Sequence, residues 1–311
     1  MEFCILASGS AGNSAVVRSG DTALLIDAGL SAKQLVRRLE VRGIDPDSLR
    51  GIVLTHEHGD HTAGLDVFLR KREIPVFCEI RTRAVLADSI KSAVRWNLFE
   101  NGDRFQIGDI EVNSFSIPHD AVEPLGFVFS APNGTRFGLV SDIGKPTNLV
   151  RHNLSGVDSV FVEANYDDLL LQNDTKRPWA TKQRISGDHG HLSNAQAASL
   201  IADIARENLH RVVLGHLSRD CNQPEVAIRT VREALRQLGR PDVIVECAGQ
   251  EEPLPFYPVR RPSFAEEEEE DDFLAPVAPI RQTTGVAAPE PRVDWAPLPA
   301  WRAQQASLFD V

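Results

Sequence analysis

The stretch Thr55–His61, THEHGDH, constrains this chain more than any other. It follows GIVL directly, an apolar run that reads as a strand. Three imidazoles and a carboxylate therefore crowd the mouth of that strand. Imidazole and carboxylate together suit borderline divalent cations such as Zn²⁺ or Mn²⁺. Four donors this close in sequence cannot all face one ion without strain, so the HxHxDH spacing points to two adjacent ions. A loop rich in histidine by chance would have no companions. Here His119 follows NSFSIP, Asp142 follows FGLVS and His216 follows RVVLG. Each is a polar residue just past an apolar run, where loops gather on one rim of a sheet.

The rest of the pattern alternates strands and helices. Short strands separated by Gly/Ser turns are expected at 3–7, 14–18 and 23–26. Ser31 is placed to cap a helix carrying Leu35, Val36 and Leu39 on one face. A strand at 52–55, a helix after Gly64, a strand at 75–78 and a helix over 81–94 follow. Strands near 110–117, 125–130 and 136–141 come next, then one at 159–163. A helix from 194 to about 207, a strand at 211–215, a helix at 224–238 and a strand at 242–246 complete the series. Clustered strands with helices in both halves imply an α/β chain of two packed sheets with helices outside.

Hydrophobic residues make up 42% of the 311 residues, enough for a sizeable core. The net charge of -11 is uneven. From Ser263 onward ten Asp/Glu face three Arg, so -7 lies there and -4 over residues 1–262. The body is thus nearly balanced, and total acidity says little about its ligands. The segment 263–311, with AEEEEEDD and recurrent proline, buries too little apolar surface to offset its ordering entropy and is expected to be disordered. Cys4, Cys78, Cys221 and Cys247 form no CxxC pair, which implies reduced thiols and a cytoplasmic protein. Cys4 and Cys78 are expected to be buried. No signal peptide and no membrane span are expected.

HxHxDH, followed by a lone His, a lone Asp and a lone His after successive strands, resembles the metallo-β-lactamase superfamily across residues 1–262. The resemblance implies an αββα four-layer sandwich with two divalent metal ions at one edge. His56, His58 and His119 would hold one ion. Asp60, His61 and His216 would hold the other, with Asp142 bridging and Asp60 also catalytic. Asp27, in LLIDAG, would orient the motif loop from behind. Two ions roughly 3.5–4 Å apart share a water and stabilise the attacking and leaving oxygens. A bridging carboxylate makes such a site hard enough for phosphate oxygens, and speaks against antibiotic hydrolysis.

The stretch VEANYD places Glu163 at a strand end, and GDHGHLSN places His189 and His191 before a helix. Ser193–Gln196 reads as a capping box. This order is similar to ribonuclease Z, which implies that Glu163 steadies His191 as a general acid or phosphate contact. His189 has no clear role. In KRPWATKQR, the residues Lys176, Arg177, Lys182 and Arg184 surround Trp179. They are candidate nucleic-acid contacts, or else a solvated loop with Trp179 tucked onto the core.

The opening LASGSAGNS, THEHGDHTAGL, PWATKQRISGDHGHLSN and LGHLSRDCNQP look closest to the YycJ/WalJ group of exonucleases. The group implies 5′ to 3′ cleavage of DNA in repair or maintenance. The interval from Asp142 to His216 is too short for a β-CASP insertion. LASGSAGNS is read as a Gly/Ser turn near the site, or else a plain hairpin connection, without a catalytic role. A ribonuclease-Z-like RNA processor, a glyoxalase-II-type thioesterase and a non-enzymatic scaffold are the alternatives. The terminal QASLFDV resembles the peptide by which bacterial replication proteins dock on the sliding clamp. Gln305 would set the register, and Leu308 and Phe309 would fill an apolar pocket. Trp295 and Trp301 have no assigned role.

Overall fold

The structure is a computed structural model and describes residues 1–261. The acidic tail and the residues of the clamp-like motif, Gln305, Leu308 and Phe309, lie outside the described residues, as do Trp295 and Trp301. The first half runs β1 (Glu2–Ala7), β2 (Ser14–Ser19), β3 (Thr22–Ile26), α1 (Ala32–Val41), β4 (Gly51–Val53), α2 (Gly59–Thr62), α3 (Leu65–Leu69), β5 (Val76–Glu79), α4 (Ile80–Leu86) and β6 (Trp96–Phe99). The second runs β7 (Arg104–Ile107), β8 (Ile110–Ser116), β9 (Leu125–Ser130), β10 (Arg136–Val140), α5 (Asn148–Leu154), β11 (Ser159–Glu163), α6 (Asp168–Asn173), α7 (Trp179–Ser186), α8 (Asn194–Ile204), β12 (Arg211–Gly215), α9 (Pro224–Gln237), β13 (Ile244–Cys247) and β14 (Tyr257–Pro258).

Two mixed seven-stranded sheets result, in the orders β14-β1-β2-β3-β4-β5-β6 and β13-β12-β11-β10-β9-β8-β7. Their inner faces meet through aromatic side chains; Phe3 stacks on Phe137 at 4.1 Å between ring centroids. Leu35, Leu39, Leu65 and Phe68 seal the helices α1 and α3 onto the first sheet. Val150, Leu154, Leu200, Ile201, Val231 and Leu235 seal α5, α8 and α9 onto the second. Each such side chain contributes about 1.5–3 kcal/mol when fully buried. The expected αββα layering is therefore present. The interval between Asp142 and His216 is taken up by α5, β11, α6, α7, α8 and β12, with no β-CASP insertion.

Local signals worked where they were strong. Ser31 accepts from the Gln34 N–H and starts α1. Ser193 and Gln196 form the reciprocal capping box of α8. Cys4 and Cys78 are buried, and burial pushes the Cys4 thiol up to about 12. Other expectations need correction. The helix expected over 81–94 ends at Leu86. The Asp66 carboxylate accepts from the N–H groups of Lys91 and Ser92, and this side-chain acceptor holds the chain out of helix. The basic stretch near Trp179 is helical from Trp179 to Ser186, not a plain loop.

What matters for the site is the direction of the parallel strands. β3 with β4, and β10 with β11 and β12, run parallel. Asp27, Thr55, Asp142 and His216 follow the carboxyl ends of these strands, and Glu163 is the last residue of β11. Open α/β sheets present their ligand crevice at that edge.

Candidate metal centre

The expected ligands meet there. The donor atoms of His56, His58 and His119 lie within 4.8 Å of one another, as do those of Asp60, His61, Asp142 and His216. Asp142 spans the two groups. Its Oδ2 is 3.0 Å from His61 Nε2, and its Oδ1 is 3.3 Å from His216 Nε2 and 4.0 Å from His119 Nε2. The chain bends sharply to achieve this. Asp27, Asp142 and His216 have φ of 58°, 54° and 53°, and they are the non-glycine residues with positive φ among those described. Each costs about 1 kcal/mol or more, and such strain collects at functional sites. Gly29 permits the closest approach, because a Cβ there would strike the Asp60 carbonyl.

The electrostatics divide the centre in two. Burial pulls the His56 pKa well below its ordinary value, and the charge of His61 adds to this. Burial likewise lowers His119. Burial also works against charge on His61 and His216, but neighbouring carboxylates together outweigh it, Asp142 with Asp27 at His61 and Asp142 with Asp60 and Glu163 at His216. His61 is pushed up to about 10 and His216 rises well above its ordinary value. Burial disfavours the Asp142 anion, yet His216 and His61 hold its pKa far below the usual carboxylate range. Asp60 keeps a quarter of its side chain accessible. Burial opposes its charge too, but the His216 contact keeps it ionised.

The donor set fits divalent cations. Nε2 of His56, His119 and His216 are buried without a hydrogen-bond partner among the described residues. The last two lie near carboxylates, but not in hydrogen-bond geometry. Orphan polar atoms this buried are rare, and a cation is the partner that would satisfy converging imidazoles. The opposite ring nitrogens are held from behind, as in metal sites generally. Asp27 Oδ2 lies 2.7 Å from His61 Nδ1 and 2.8 Å from Thr55 Oγ1, while its Oδ1 accepts from the Thr55 N–H. His119 Nδ1 faces the Gly190 carbonyl at 3.1 Å. The expected role of Asp27 thus has a geometry.

Glu163 is fully buried. Its Oε1 lies 2.7 Å from His191 Nδ1 and 3.0 Å from His216 Nδ1, so one carboxylate serves both rings. Its Oε2 accepts from the Ile143 N–H. His191 Nδ1 is also 3.9 Å from Asp142 Oδ1. Burial lowers the His191 pKa, but the Glu163 charge and hydrogen bond more than compensate, and it ends above its ordinary value. His189 is exposed.

Several residues about the centre were not legible as such. Asn13 Nδ2 lies 3.2 Å from Asp60 Oδ2 and 3.0 Å from His61 Nε2, and the Asn13 Oδ1 accepts from the Gly9 N–H. Ser8 Oγ accepts from the His216 N–H at 2.6 Å. Asn165 Nδ2 donates to the His216 carbonyl. LASGSAGNS therefore lies near the centre as expected, and its Ser8 and Asn13 side chains add contacts to it; their place flanking the glycines was the available signal.

The basic residues fare unevenly. Trp179 is 70% exposed, so it is not tucked onto the core. Lys176 pairs with Asp220, and Arg177 with Asp174 and Asp220. Lys182 donates to the Gln172 carbonyl. Arg184 lies 3.5 Å from Asp120, the neighbour of His119, and ties α7 to the rim of the centre.

Comparison with known proteins matches residues 22–217 to the beta-lactamase superfamily domain. The chain belongs to the beta-lactamase superfamily. Among superfamily relatives, the exodeoxyribonuclease YycJ of Bacillus anthracis is 35% identical over 242 residues, 77% of this chain and 90% of the relative. The exodeoxyribonuclease WalJ of Streptococcus pneumoniae is 34% identical over 241 residues, 76% of this chain and 88% of the relative. Among solved structures, Zn²⁺-bound PqqB from Methylobacterium extorquens superposes with a TM-score of 0.60 at 17% identity, covering 82% of this chain and 99% of PqqB. The fold is thus shared with the Zn²⁺-bound PqqB structure. With this fold and these His/Asp clusters, the chain is a metal-dependent hydrolase. No helix among the described residues is long and apolar enough to cross a membrane.

Proposed function

We propose that this superfamily member is a phosphodiesterase that degrades DNA exonucleolytically, from 5′ to 3′. The observation that carries the reading is the Glu163–His191 pair set beside Asp142. A protonated imidazole there serves a leaving group that needs a proton. An alkoxide leaving from phosphorus needs one; a thiolate, whose conjugate acid has a pKa of about 8.5, leaves without it. The pair therefore favours phosphodiester over thioester hydrolysis. The two exodeoxyribonuclease relatives support the same choice.

In this reading His56, His58 and His119 hold one divalent cation, and Asp60, His61 and His216 a second, with Asp142 shared. When bound, Zn²⁺ or Mn²⁺ supplies Lewis acidity toward the phosphoryl oxygens and lowers the pKa of water. Asp60 orients the attacking water and accepts its hydrogen bond. His191 gives its proton to the leaving sugar oxygen. Glu163 orients the His191 ring and stabilises its protonated form and, through the His216 contact, keeps that ring in register with the centre. Trp179 stacks on an unpaired base, with Lys182 and Arg184 beside the strand. Lys176 and Arg177, held by Asp174 and Asp220, brace the α6–α7 hairpin instead.

The proposal extends to the tail. Residues 305–309 dock on a bacterial sliding clamp and keep a cytoplasmic repair enzyme near its substrate. A peptide of residues 300–311 is expected to bind the clamp, and the Leu308→Ala/Phe309→Ala version to fail; equal binding by both would remove this part.

End-labelled DNA, end-labelled RNA and a thioester, each incubated with protein loaded with Mn²⁺ or Zn²⁺, test the central reading. DNA should be shortened from its 5′ end. Preferential loss of RNA would move the enzyme to RNA processing, and turnover of the thioester alone would end the phosphodiesterase reading.

A further inference from the structure

The Gly/Ser turn of LASGSAGNS is fastened on both sides to the centre. Ser8 Oγ receives the His216 N–H, and Asn13 Nδ2 reaches Asp60 and His61. Its interior is closed by Gly9 N–H to Asn13 Oδ1 and by Gly12 N–H to the Gly9 carbonyl. Gly9 and Gly12 have φ of 131° and 143°, a region that side chains rarely adopt. At the tip, Ser10 and Ala11 are exposed, and their N–H groups have no acceptor among the described residues.

A cation stands beside this turn. The Gln250 side chain packs on Gly9, its amide 3.0 Å from where a Cβ would lie. The Gln250 Oε1 accepts from Arg219 Nη2 at 2.8 Å. Arg219 is exposed and has no carboxylate partner among the described residues. The reason is local: its neighbour Asp220 is taken by Lys176 and Arg177. A guanidinium steadied by a neutral amide keeps its charge for an outside anion, whereas Lys176 and Arg177 do not.

We propose that the Gly9–Gly12 turn and Arg219 form a phosphate subsite on the His216 side of the centre. It holds a nucleic-acid phosphate other than the one being cleaved. The inference deepens the phosphodiesterase reading and rests on it. Guanidinium suits phosphate through paired N–H donors, and consecutive free backbone N–H groups favour an anion. Holding a second phosphate fixes the strand relative to the water and His191, so the subsite sets where cleavage falls.

The test compares wild type, Arg219→Ala, Arg219→Lys and Gln250→Leu, each checked for fold by circular dichroism and for metal content. The substrates are a 5′-phosphorylated oligonucleotide, the same strand with a 5′-hydroxyl, and bis(p-nitrophenyl) phosphate, which has a single phosphodiester. Arg219→Ala should raise KM for the oligonucleotide about tenfold, a larger loss than on the small diester, and should lower the salt slope of binding by about one. Arg219→Lys should recover part of the loss. Gln250→Leu should fall between wild type and Arg219→Ala. A loss confined to the phosphorylated strand assigns the subsite to the terminal phosphate, and an equal loss on both assigns it to an internal one. Unchanged KM and salt slope in Arg219→Ala, with wild type still degrading DNA, would overturn the subsite alone. Wild type that cleaves no oligonucleotide would remove the phosphodiesterase reading and the subsite together.

Discussion

The two halves of the centre use the same side chain in opposite electrostatic settings. His56 and His119 are buried among other imidazoles, and their pKa values fall. His61 and His216 face Asp142, and theirs rise. The first group is neutral and ready to donate lone pairs. The second holds protons that a cation must displace. Carboxylates create the difference: Asp142 sits 3.0–3.3 Å from the second pair of rings and 4.0 Å from His119, Asp27 adds its charge at His61, and Asp60 and Glu163 add theirs at His216. The carboxylates about His61 and His216 thus set these two rings apart from His56 and His119.

Removing Asp142 breaks the contrast outright. Asp142→Ala should lower DNA hydrolysis by at least about 10³-fold, since several kcal/mol of charge stabilisation goes with it. Metal analysis should show fewer ions per chain. An active Asp142→Ala protein would refute the shared-carboxylate assignment. Next in size is His191→Ala, expected to cost about 10²–10⁴-fold in kcat with metal content unchanged. In wild type, kcat should fall as pH rises through the elevated His191 pKa, because the donor must be protonated; the variant should lack that limb.

Acidification sharpens the comparison without mutation. His61, at about 10 in the metal-free protein, carries an extra proton throughout the neutral range. Metal binding must expel it together with the His216 proton, so affinity for the second ion should fall about a hundredfold per pH unit on going down from pH 8 to pH 6. The first ion competes with no such proton at His56 or His119 and should lose less affinity over the same interval. Calorimetry in buffers of different ionisation enthalpy would count the protons released. A single step with no proton release would contradict the division. The smallest effect should come from Asp27→Asn, which leaves His61 in place but loosens its Nδ1 anchor. About tenfold weaker metal binding is expected, read by titration against a chelator.

Legibility in the sequence tracked how local each interaction is. The convergence of the seven expected side chains was foreseeable because each stands just past an apolar strand, and four of them are packed into His56–His61. Glu163 and His191 were readable through the strand end and the capping box. Asn13, Ser8 and Asn165 were not, because their roles consist of contacts with residues more than forty positions away, such as Asn13 with Asp60 and Ser8 with His216. The helix expected over 81–94 failed for a similar reason: Asp66, distant in sequence, takes the N–H groups that a longer helix would use. Helix α7 was hidden because its residues carry no apolar periodicity and bury no side chain.

By itself, the sequence determined the donor types, their order along the chain and the strands that carry them, because periodicity and turn chemistry act over a few residues. Only the tertiary structure decided which histidines face Asp142, that Glu163 serves two rings, and that Asp220 neutralises Lys176 and Arg177 while Arg219 has no carboxylate partner among the described residues. Those outcomes depend on through-space distances of about 3–4 Å, over which charges act strongly when buried, and on which side chain reaches a shared partner first.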